Sequence, residues 1–314
     1  MKIVVTGTTG QLGWELVQTL GTIGDVVTLD RAIVDLAVCP AKVAHVIARL
    51  TPDIVINAAA YTAVDCAEQE EALANRVNAE AVEAMADAAR RVGALLIHYS
   101  SDYVFDGSKL DGYVEDDQVN PLNAYGRSKL LGERAVMQSA GDWLIFRTSW
   151  VFAARGRNFL RTMLGLGGRH TTLRVVADQF GAPTSARFLA TATAFAVHQC
   201  IRERQAGRFE SGLFHLSAQG RASWHQFAAE IFTQARAMLP ALPLRVGEVQ
   251  AVSSSEYATA AKRPSNSVLS NEKFDRRFGL HRPDWTDGVR LALQEIAEAE
   301  SMLLDFCRST SVQA

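Results

Sequence analysis

Several features are scarce or missing in this chain of 314 residues, and each absence excludes a class of protein. Cysteine occurs only four times, at widely separated positions and without a C-x-x-C pair, so neither a zinc site nor a disulfide framework is indicated. The net charge of −2 argues against a nucleic-acid-binding protein, which is usually basic. No run approaches the roughly 18 consecutive apolar residues of a membrane span, and no basic, cleavable leader opens the sequence. We therefore expect a cytoplasmic globular protein that binds neither nucleic acid nor membrane.

Short apolar segments alternate with amphipathic segments through the first half of the chain. The apolar segments predict buried parallel strands at Ile3–Thr6, Val26–Leu29, Ile54–Asn57, Leu95–Ser100 and Trp143–Arg147. The amphipathic segments predict helices at Gln11–Leu20, Ala41–Leu50, Glu70–Val92 and Ala124–Ser139. This alternation predicts an α/β fold of the Rossmann type, with a doubly wound parallel sheet.

The alternation loosens after about residue 152. We expect an NAD(P)-binding Rossmann domain over residues 1–152, whose core later segments can rejoin, and a smaller substrate-binding lobe with a C-terminal helix over residues 153–314. Within the second half the pattern predicts a strand at 173–176, helices at 186–202 and 224–238, a loop over 251–270 and a helix over 285–307.

The first predicted strand runs into a glycine-rich turn and then a helix. Glycines at this junction permit a tight turn, close approach of a pyrophosphate and close helix–sheet packing, and the start of the helix attracts phosphate. A plain strand-to-helix turn would also explain the glycines. The residues of the turn that we expect to bind a dinucleotide are Gly7, Thr9, Gly10, Gln11, Leu12 and Gly13.

The second predicted strand ends on two residues of opposite charge, where the adenosine ribose would lie. Asp30 would accept a hydrogen bond from the ribose 2′-OH and favour NAD, whereas Arg31 would pair with a 2′-phosphate and favour NADP. We predict a weak preference, with NADPH slightly ahead of NADH. Asp35 and Leu36 are expected beside the adenine. Small residues after the third strand would let a cofactor approach the backbone, although tight packing under a helix explains them equally well: Ala58, Ala59 and Ala60, followed by Tyr61.

A tyrosine and a lysine four residues apart carry the chemistry that we expect. Tyr125 and Lys129 share one helix face, although this spacing also occurs on ordinary solvated helices. A nearby ammonium would lower the pKa of the phenol, and Lys129 would also hold the nicotinamide ribose. Ser101, at the end of the fourth strand, would hydrogen-bond the substrate oxygen. The three residues predict a carbonyl reductase in which Tyr125 donates the proton.

These motifs resemble those of the extended short-chain dehydrogenases and, within them, the dTDP-4-dehydrorhamnose reductase family. The resemblance spans nearly the whole chain and is carried by residues 4–13, 57–65, 101–107, 121–129, 147–152, 158–159, 178–184 and 263–269. It implies that NADPH or NADH reduces the C4 keto group of dTDP-4-dehydro-L-rhamnose. By position it makes Tyr125, Lys129 and Ser101 catalytic, with serine at 101 where the family usually has threonine.

The resemblance also implies a sugar-facing wall and a nucleotide pocket. The residues expected at the sugar are Ser101, Asp102, Tyr103, Val104 and Trp150. Core packing is an alternative role for Trp150, because tryptophan usually buries its large surface. Asn158, Gln179 and Arg263 are expected at the phosphates or the base, with Arg263 forming bidentate contacts to the diphosphate. A structural salt bridge is the alternative role for Arg263.

Some members of the family bind Mg²⁺ at a dimer contact through acidic residues. Glu15 matches one such position, but residues 186–188 offer no acid where a second ligand would be expected. This departure disfavours a metal-bridged dimer and leaves Glu15 as a weak candidate ligand for Mg²⁺. We interpret Glu15 instead as a carboxylate that faces water near the start of a helix. A homodimer stays possible without the metal.

Two other functions remain open at this point. The first is another nucleotide-sugar enzyme of the same superfamily, either a 4-ketoreductase or a 4-epimerase; a 4,6-dehydratase is disfavoured because no Asp-Glu pair follows Ser101. The second is a non-catalytic regulatory subunit, which is disfavoured because Tyr125 and Lys129 are both present.

Overall fold

The structure is a computed structural model that describes residues 1–311, with side chains described for residues 1–299. The strands are, in chain order, β1 (Lys2–Thr6), β2 (Asp25–Leu29), β3 (Ile54–Asn57), β4 (Leu95–Ser101), β5 (Trp143–Thr148), β6 (Val151–Phe152), β7 (Thr172–Val176), β8 (Phe180–Gly181), β9 (Thr184–Ser185), β10 (Gly212–His215), β11 (Ala222–Ser223) and β12 (Glu248–Val252). The helices are α1 (Gln11–Leu20), α2 (Lys42–Leu50), α3 (Val64–Ala67), α4 (Glu71–Asn75), α5 (Ala81–Val92), α6 (Ala124–Gln138), α7 (Phe159–Gly167), α8 (Ala186–Gln205), α9 (Trp224–Met238), α10 (Glu272–Phe278) and α11 (Trp285–Ser311).

The central feature is a six-stranded sheet in the order β10-β5-β4-β3-β1-β2, in which every pairing is parallel. Its two apolar faces are covered by helices, with α1 and α8 on one side and α2 and α5 on the other. The chain leaves β1 for β2 on one side and continues with β3 on the other, so a crevice opens at the carboxyl ends of these strands. The predicted doubly wound α/β fold is confirmed.

The second half of the chain contributes to both parts of the molecule. Strand β10 pairs with β5 in the central sheet, and α8 packs beside α1. The remaining segments form a smaller lobe, in which β7 pairs with β12 and a separate apolar core includes Phe152, Phe227 and Leu293. The division near residue 152 stays a prediction. No helix within residues 1–311 is long and apolar enough to cross a membrane.

Two predicted elements differ from the structure. The predicted helix 70–92 is interrupted by a π-helical turn at Arg76–Glu80, a feature that helical periodicity does not reveal. The predicted loop 251–270 begins inside strand β12. That strand was missed because most of its residues are polar or exposed, so its sequence lacks the apolar run of a buried strand.

Helix α6 is fixed to the sheet by a buried ion pair. Arg147, on β5, donates two hydrogen bonds to Glu133 on α6, from Nε to Oε1 over 2.8 Å and from one terminal nitrogen to Oε2 over 2.7 Å. The two side chains are 4% and 0% exposed. The helix starts at Asn123, whose side chain accepts a hydrogen bond from the backbone N–H of Gly126. These contacts fix the position of the helix that carries Tyr125 and Lys129.

Removing one partner of this pair should be strongly destabilising, because the other charge is left buried and unpaired. We expect Arg147→Met to lower the free energy of unfolding by about 3–5 kcal/mol, measured by urea denaturation. Arg91→Met is the matched control, since Arg91 pairs with Asp87 on an exposed helix surface; its loss should stay below about 1 kcal/mol. Equal losses for the two variants would contradict the role given to the buried pair.

Candidate active site

The turn between β1 and α1 leaves no room for side chains at two of its glycines. Gly7 has φ +68°, and a Cβ there would lie 2.6 Å from the backbone nitrogen of Ala59. A Cβ on Gly13 would lie 2.2 Å from the carbonyl oxygen of Gly7. Gly10 is the N-cap of α1 and has no side chain to satisfy the free N–H groups of the first turn. The turn therefore presents bare backbone donors and fits the phosphates of a dinucleotide.

A cleft beside this turn contains most of the predicted cofactor residues. Its lining includes Gly7, Thr9, Gly10, Asp30, Arg31, Asp35, Leu36, Ala58, Ala59 and Ala60, together with Ala37, Val43 and Val77, which sequence reasoning missed. Asp30 Oδ1 accepts a hydrogen bond from the N–H of Ile33 over 3.0 Å.

Six of the predicted cofactor residues are not in the lining of this cleft: Gln11, Leu12, Gly13, Tyr61, Tyr125 and Lys129. Leu12 packs into the apolar core, so only its backbone could reach a cofactor. Gln11 lines the neighbouring cleft, which also includes Tyr125. The Tyr61 hydroxyl donates a hydrogen bond to Glu70 over 2.5 Å, so it is engaged with this carboxylate and not with the cofactor cleft.

The catalytic candidates meet at a second cleft. Its lining includes Ser101, Asp102, Tyr103, Tyr125 and Trp150, at the carboxyl ends of β4 and β5. The Ser101 hydroxyl lies within hydrogen-bonding reach of the Tyr125 phenol and lowers its pKa, but burial of the phenol has the larger effect and raises that pKa to about 12. Tyr125 is therefore a protonated phenol at neutral pH, as a proton donor must be.

Burial, not a neighbouring charge, has the largest effect on the pKa of Tyr125, and the expected lowering of that pKa stays a prediction for Lys129. Its ammonium donates to the carbonyl oxygen of Tyr99 over 2.6 Å. Burial lowers the pKa of Lys129 to about 8, against the opposing effect of Glu133. The lysine is buried next to the end of β4 and is not among the residues that line the second cleft.

A residue that sequence reasoning missed connects helix α6 to the segment that follows β3. Asn78, in the π-helical turn, accepts a hydrogen bond from the N–H of Tyr61 over 2.9 Å and donates to the carbonyl of Tyr61 over 3.0 Å. It also donates to Ser128 Oγ over 2.9 Å, and Ser128 donates to the carbonyl of Tyr125. The π turn thus places Asn78 where its hydrogen bonds connect the backbone of Tyr61, through Ser128, to the backbone of Tyr125.

Three buried polar atoms beside the second cleft have no hydrogen-bond partner among the described residues: Ser100 Oγ, Thr148 Oγ1 and Trp150 Nε1. Unsatisfied buried groups are costly, and ligand binding is a common reason for them. Ser100 and Thr148 were not predicted, although their positions near the ends of β4 and β5 are where ligands bind in parallel sheets.

Two stacked tryptophans separate the second cleft from a third. The rings of Trp150 and Trp224 lie 3.5 Å apart with 6° between their planes, and both side chains border the second cleft. Trp150 has φ +45°, an unusual conformation for a bulky residue. Gly181 makes room for its ring, since a Cβ there would lie 2.5 Å away. Sequence reasoning did not predict Trp224 as a site residue. The capping box of Ser223 and Gln226 is the sequence signal that places Trp224 at the start of its helix.

The third cleft combines aromatic and cationic side chains. Its lining is Asp65, Phe159, Met163, Arg174, Val175, Val176, Gln179, Trp224, Tyr257, Thr259 and Arg263. Arg263 donates to both carboxylate oxygens of Asp65, over 3.1 and 2.6 Å, and thereby lowers the pKa of Asp65. Gln179 and Arg263 therefore lie together as predicted, but the Arg263 fork already has a carboxylate partner.

Two residues predicted to bind substrate have structural roles instead. Val104 is fully buried in an apolar cluster with Phe105 and Leu130, so it does not face a sugar. Asn158 caps α7 by accepting from the N–H of Arg161 over 3.0 Å and donates to Gln11 over 2.8 Å. Its amide is occupied by these contacts, so the prediction that Asn158 binds phosphate or base is not supported by the geometry.

Glu15 does not face water, contrary to the prediction. It is 4% exposed, and the guanidinium of Arg187 lies between the carboxylates of Glu15 and Glu295. Burial raises the pKa of Glu15, while Arg187 and Arg155 oppose that shift. Among the described residues no group of three or more His, Cys, Asp or Glu could hold a metal ion. The residues around Glu15 therefore do not fit Mg²⁺, because a cationic side chain stands between the carboxylates.

Comparisons with known proteins identify the family of this chain. A family model described as the RmlD substrate binding domain matches residues 1–298. The chain is 52% identical to a dTDP-4-dehydrorhamnose reductase of Burkholderia thailandensis over 296 residues, covering 94% of this chain and 99% of that protein. It is 44% identical to the enzyme of that name from Escherichia coli K12 over 301 residues, covering 94% and 98%.

A solved structure of similar shape is dTDP-4-dehydrorhamnose reductase of Bacillus anthracis in complex with NADP. Its TM-score is 0.84 at 34% identity, and the match covers 94% of this chain and 99% of that one. The clefts, with Tyr125, Ser101 and Lys129, thus occur in a chain whose relatives match it over almost its whole length. This protein belongs to the dTDP-4-dehydrorhamnose reductase family.

Proposed function

We propose that this protein reduces the C4 keto group of dTDP-4-dehydro-L-rhamnose to give dTDP-L-rhamnose, with NADPH or NADH as the reductant. The observation that carries the proposal is the meeting of Tyr125 and Ser101 at a cleft that also includes Gln11 and Trp224, with the buried Lys129 ammonium on the nearby carbonyl of Tyr99. The relatives that match the chain at 52 and 44% identity are named after this activity.

The cofactor would be held by the turn at Gly7, Gly10 and Gly13 and by the cleft that Asp30 and Arg31 line. A reduced nicotinamide bound there supplies a hydride to a carbonyl carbon. Asp30 and Arg31 both border that cleft, which supports the proposed weak preference for NADPH. A cytoplasmic location and a homodimeric assembly stay predictions.

Residues of this chain supply the proton that the carbonyl oxygen receives during reduction. Tyr125, whose pKa is about 12, holds its proton at neutral pH and donates it to the oxygen as the carbonyl is reduced. Ser101 lies beside the phenol and keeps it oriented. The Lys129 ammonium can leave the carbonyl of Tyr99 for a cofactor hydroxyl, because both are hydrogen-bond acceptors.

The third cleft would hold the nucleotide. Arg263 and Arg174 supply positive charge for a diphosphate, and Gln179 offers an amide to a base edge. Phe159 and Tyr257 offer flat apolar surfaces on which a thymine ring can stack.

The first test is cofactor oxidation at 340 nm with dTDP-4-keto-6-deoxyglucose, with and without a 3,5-epimerase that supplies the L-configured ketone. We expect oxidation only when the epimerase is present. Tyr125→Phe should lower kcat by roughly 10²- to 10⁴-fold, the usual contribution of a positioned acid. Tyr113→Phe is the matched control, since its buried hydroxyl bonds Asp106 away from the clefts, and kcat should be unchanged.

Each other outcome of this assay has a definite meaning. Oxidation without the epimerase would identify a reductase of the D-sugar. No oxidation under either condition would reject the proposed activity. Full activity in Tyr125→Phe would reject the proton donor while leaving the reaction in place.

The role of Arg263 is tested by Arg263→Ala. We expect KM for the nucleotide sugar to rise roughly 10- to 100-fold with little change in kcat, because the lost guanidinium contacts bind ground and transition states alike. Stability should change little, since Asp65 is half exposed and can be hydrated. Arg127→Ala is the control, because Arg127 forms an exposed ion pair with Glu71. An unchanged KM in Arg263→Ala would reject the role of Arg263 in binding the diphosphate and would leave only its salt bridge to Asp65.

The cluster of Glu15, Arg187 and Glu295 predicts that stability does not depend on a divalent cation. The thermal midpoint should be the same in EDTA and in excess MgCl₂, because Arg187 already neutralises the carboxylates. Arg187→Gln removes that charge and should lower the midpoint in EDTA. A midpoint of the unaltered protein that rises with Mg²⁺ would contradict this interpretation.

A further inference from the structure

Asp102 is a buried carboxylate surrounded by hydroxyl groups. Ser101 Oγ donates to its Oδ1 over 2.9 Å, and Ser149 Oγ donates to its Oδ2 over 3.0 Å. Asp102 is 2% exposed, and among the described side chains it has no lysine, arginine or histidine as an ion-pair partner. A buried acid held by neutral donors alone is costly to ionise.

The hydrogen bonds of Ser101 leave it no proton for a substrate. A serine hydroxyl has one proton to donate and two lone pairs to accept with. The proton of Ser101 goes to Asp102, and one lone pair accepts from the N–H of Tyr103 over 3.1 Å. The remaining lone pair can only accept, and the nearby donor is the Tyr125 phenol. In this arrangement Ser101 orients Tyr125 but cannot stabilise a negative substrate oxygen.

Resting on the reductase function proposed above, we propose that Asp102 is a positioning residue whose protonation sets the direction of the hydrogen bond through Ser101. When Asp102 is a carboxylate, Ser101 donates to it and is held away from the substrate. When Asp102 carries a proton, that proton is donated to Ser101 Oγ, and the Ser101 proton turns toward the reacting oxygen. No proton leaves Asp102 during the reaction; the carboxylic acid only reverses the hydrogen bond.

The surroundings of Asp102 make this reversal accessible near neutral pH. Burial raises the pKa of Asp102 to about 6, although Ser267, Ser101 and Ser149 oppose the shift. The titratable groups facing it are Tyr103 on its own turn and Tyr125 on α6, and burial raises the pKa of both phenols, so they stay protonated.

Two cationic groups near this site act elsewhere. Arg263 lowers the pKa of Tyr103, against the larger effect of burial. Lys129, with a pKa of about 8, donates to the carbonyl of Tyr99. A titration of Lys129 would therefore appear as a separate step at higher pH.

The test is the single-turnover rate of NADPH oxidation, with enzyme in excess over the L-configured ketone, between about pH 5.5 and 8.5. In the unaltered protein we expect the rate to fall roughly tenfold as the pH rises through about 6, because a donor to the developing charge is lost. Asp102→Asn should lack the step near pH 6. Ser149→Ala is the comparison variant: it should keep the step but move it to higher pH, because the carboxylate loses a donor.

A second variant covers the case in which Asp102→Asn does not fold. Ser101→Ala leaves Asp102 in place but removes the hydroxyl that it would orient, so the rate should be lower and the step absent. A step near pH 6 that survives in either variant, no step in the active unaltered protein, or an unshifted step in Ser149→Ala would overturn the inference. If the unaltered protein does not oxidise NADPH with this ketone at any pH, the proposed reductase function itself is rejected, and with it the inference about Asp102.

Discussion

The active site depends on how closely helix α6 approaches the elements around it. A Cβ on Gly126 would lie 2.2 Å from the carbonyl oxygen of Tyr103, and a Cβ on Gly132 would lie 2.2 Å from that of Asn78. Any larger residue would push the helix outward. The buried pair of Arg147 and Glu133 holds the helix against β5. With the helix this close, the Tyr125 phenol lies beside Ser101, and the Lys129 ammonium reaches the end of β4.

The same closeness determines the electrostatics of the site. Burial raises the pKa of Tyr125 and Asp102 and lowers that of Lys129, so each group is shifted toward its neutral form. A neutral phenol suits proton donation during carbonyl reduction, and charge that develops on a substrate oxygen is stabilised more strongly in a dry site than in water. The stacked rings of Trp150 and Trp224 lie between the cleft at Tyr125 and the cleft that Arg174 and Arg263 line.

Local patterns predicted the parts of the fold and site that local physics determines. The apolar runs predicted five of the six strands of the central sheet, β1 to β5, but not β10. The glycines predicted the turn at Gly7, and the four-residue spacing placed Tyr125 and Lys129 on one helix face. The errors concern contacts between distant segments. The Tyr99 carbonyl that takes the Lys129 ammonium, and the acids Glu15 and Glu295 on either side of Arg187, meet only in the folded chain. No pattern in one sequence records which distant groups will share a proton or a charge.

The central claim is that this site delivers a hydride to C4 of the L-configured nucleotide sugar. The most direct measurement is NMR of the sugar product after reaction with NADPH carrying deuterium at the transferable position of the nicotinamide. The account predicts deuterium at C4 of dTDP-L-rhamnose and at no other carbon of the sugar. Deuterium at another carbon, or a product of different configuration at C4, would contradict it.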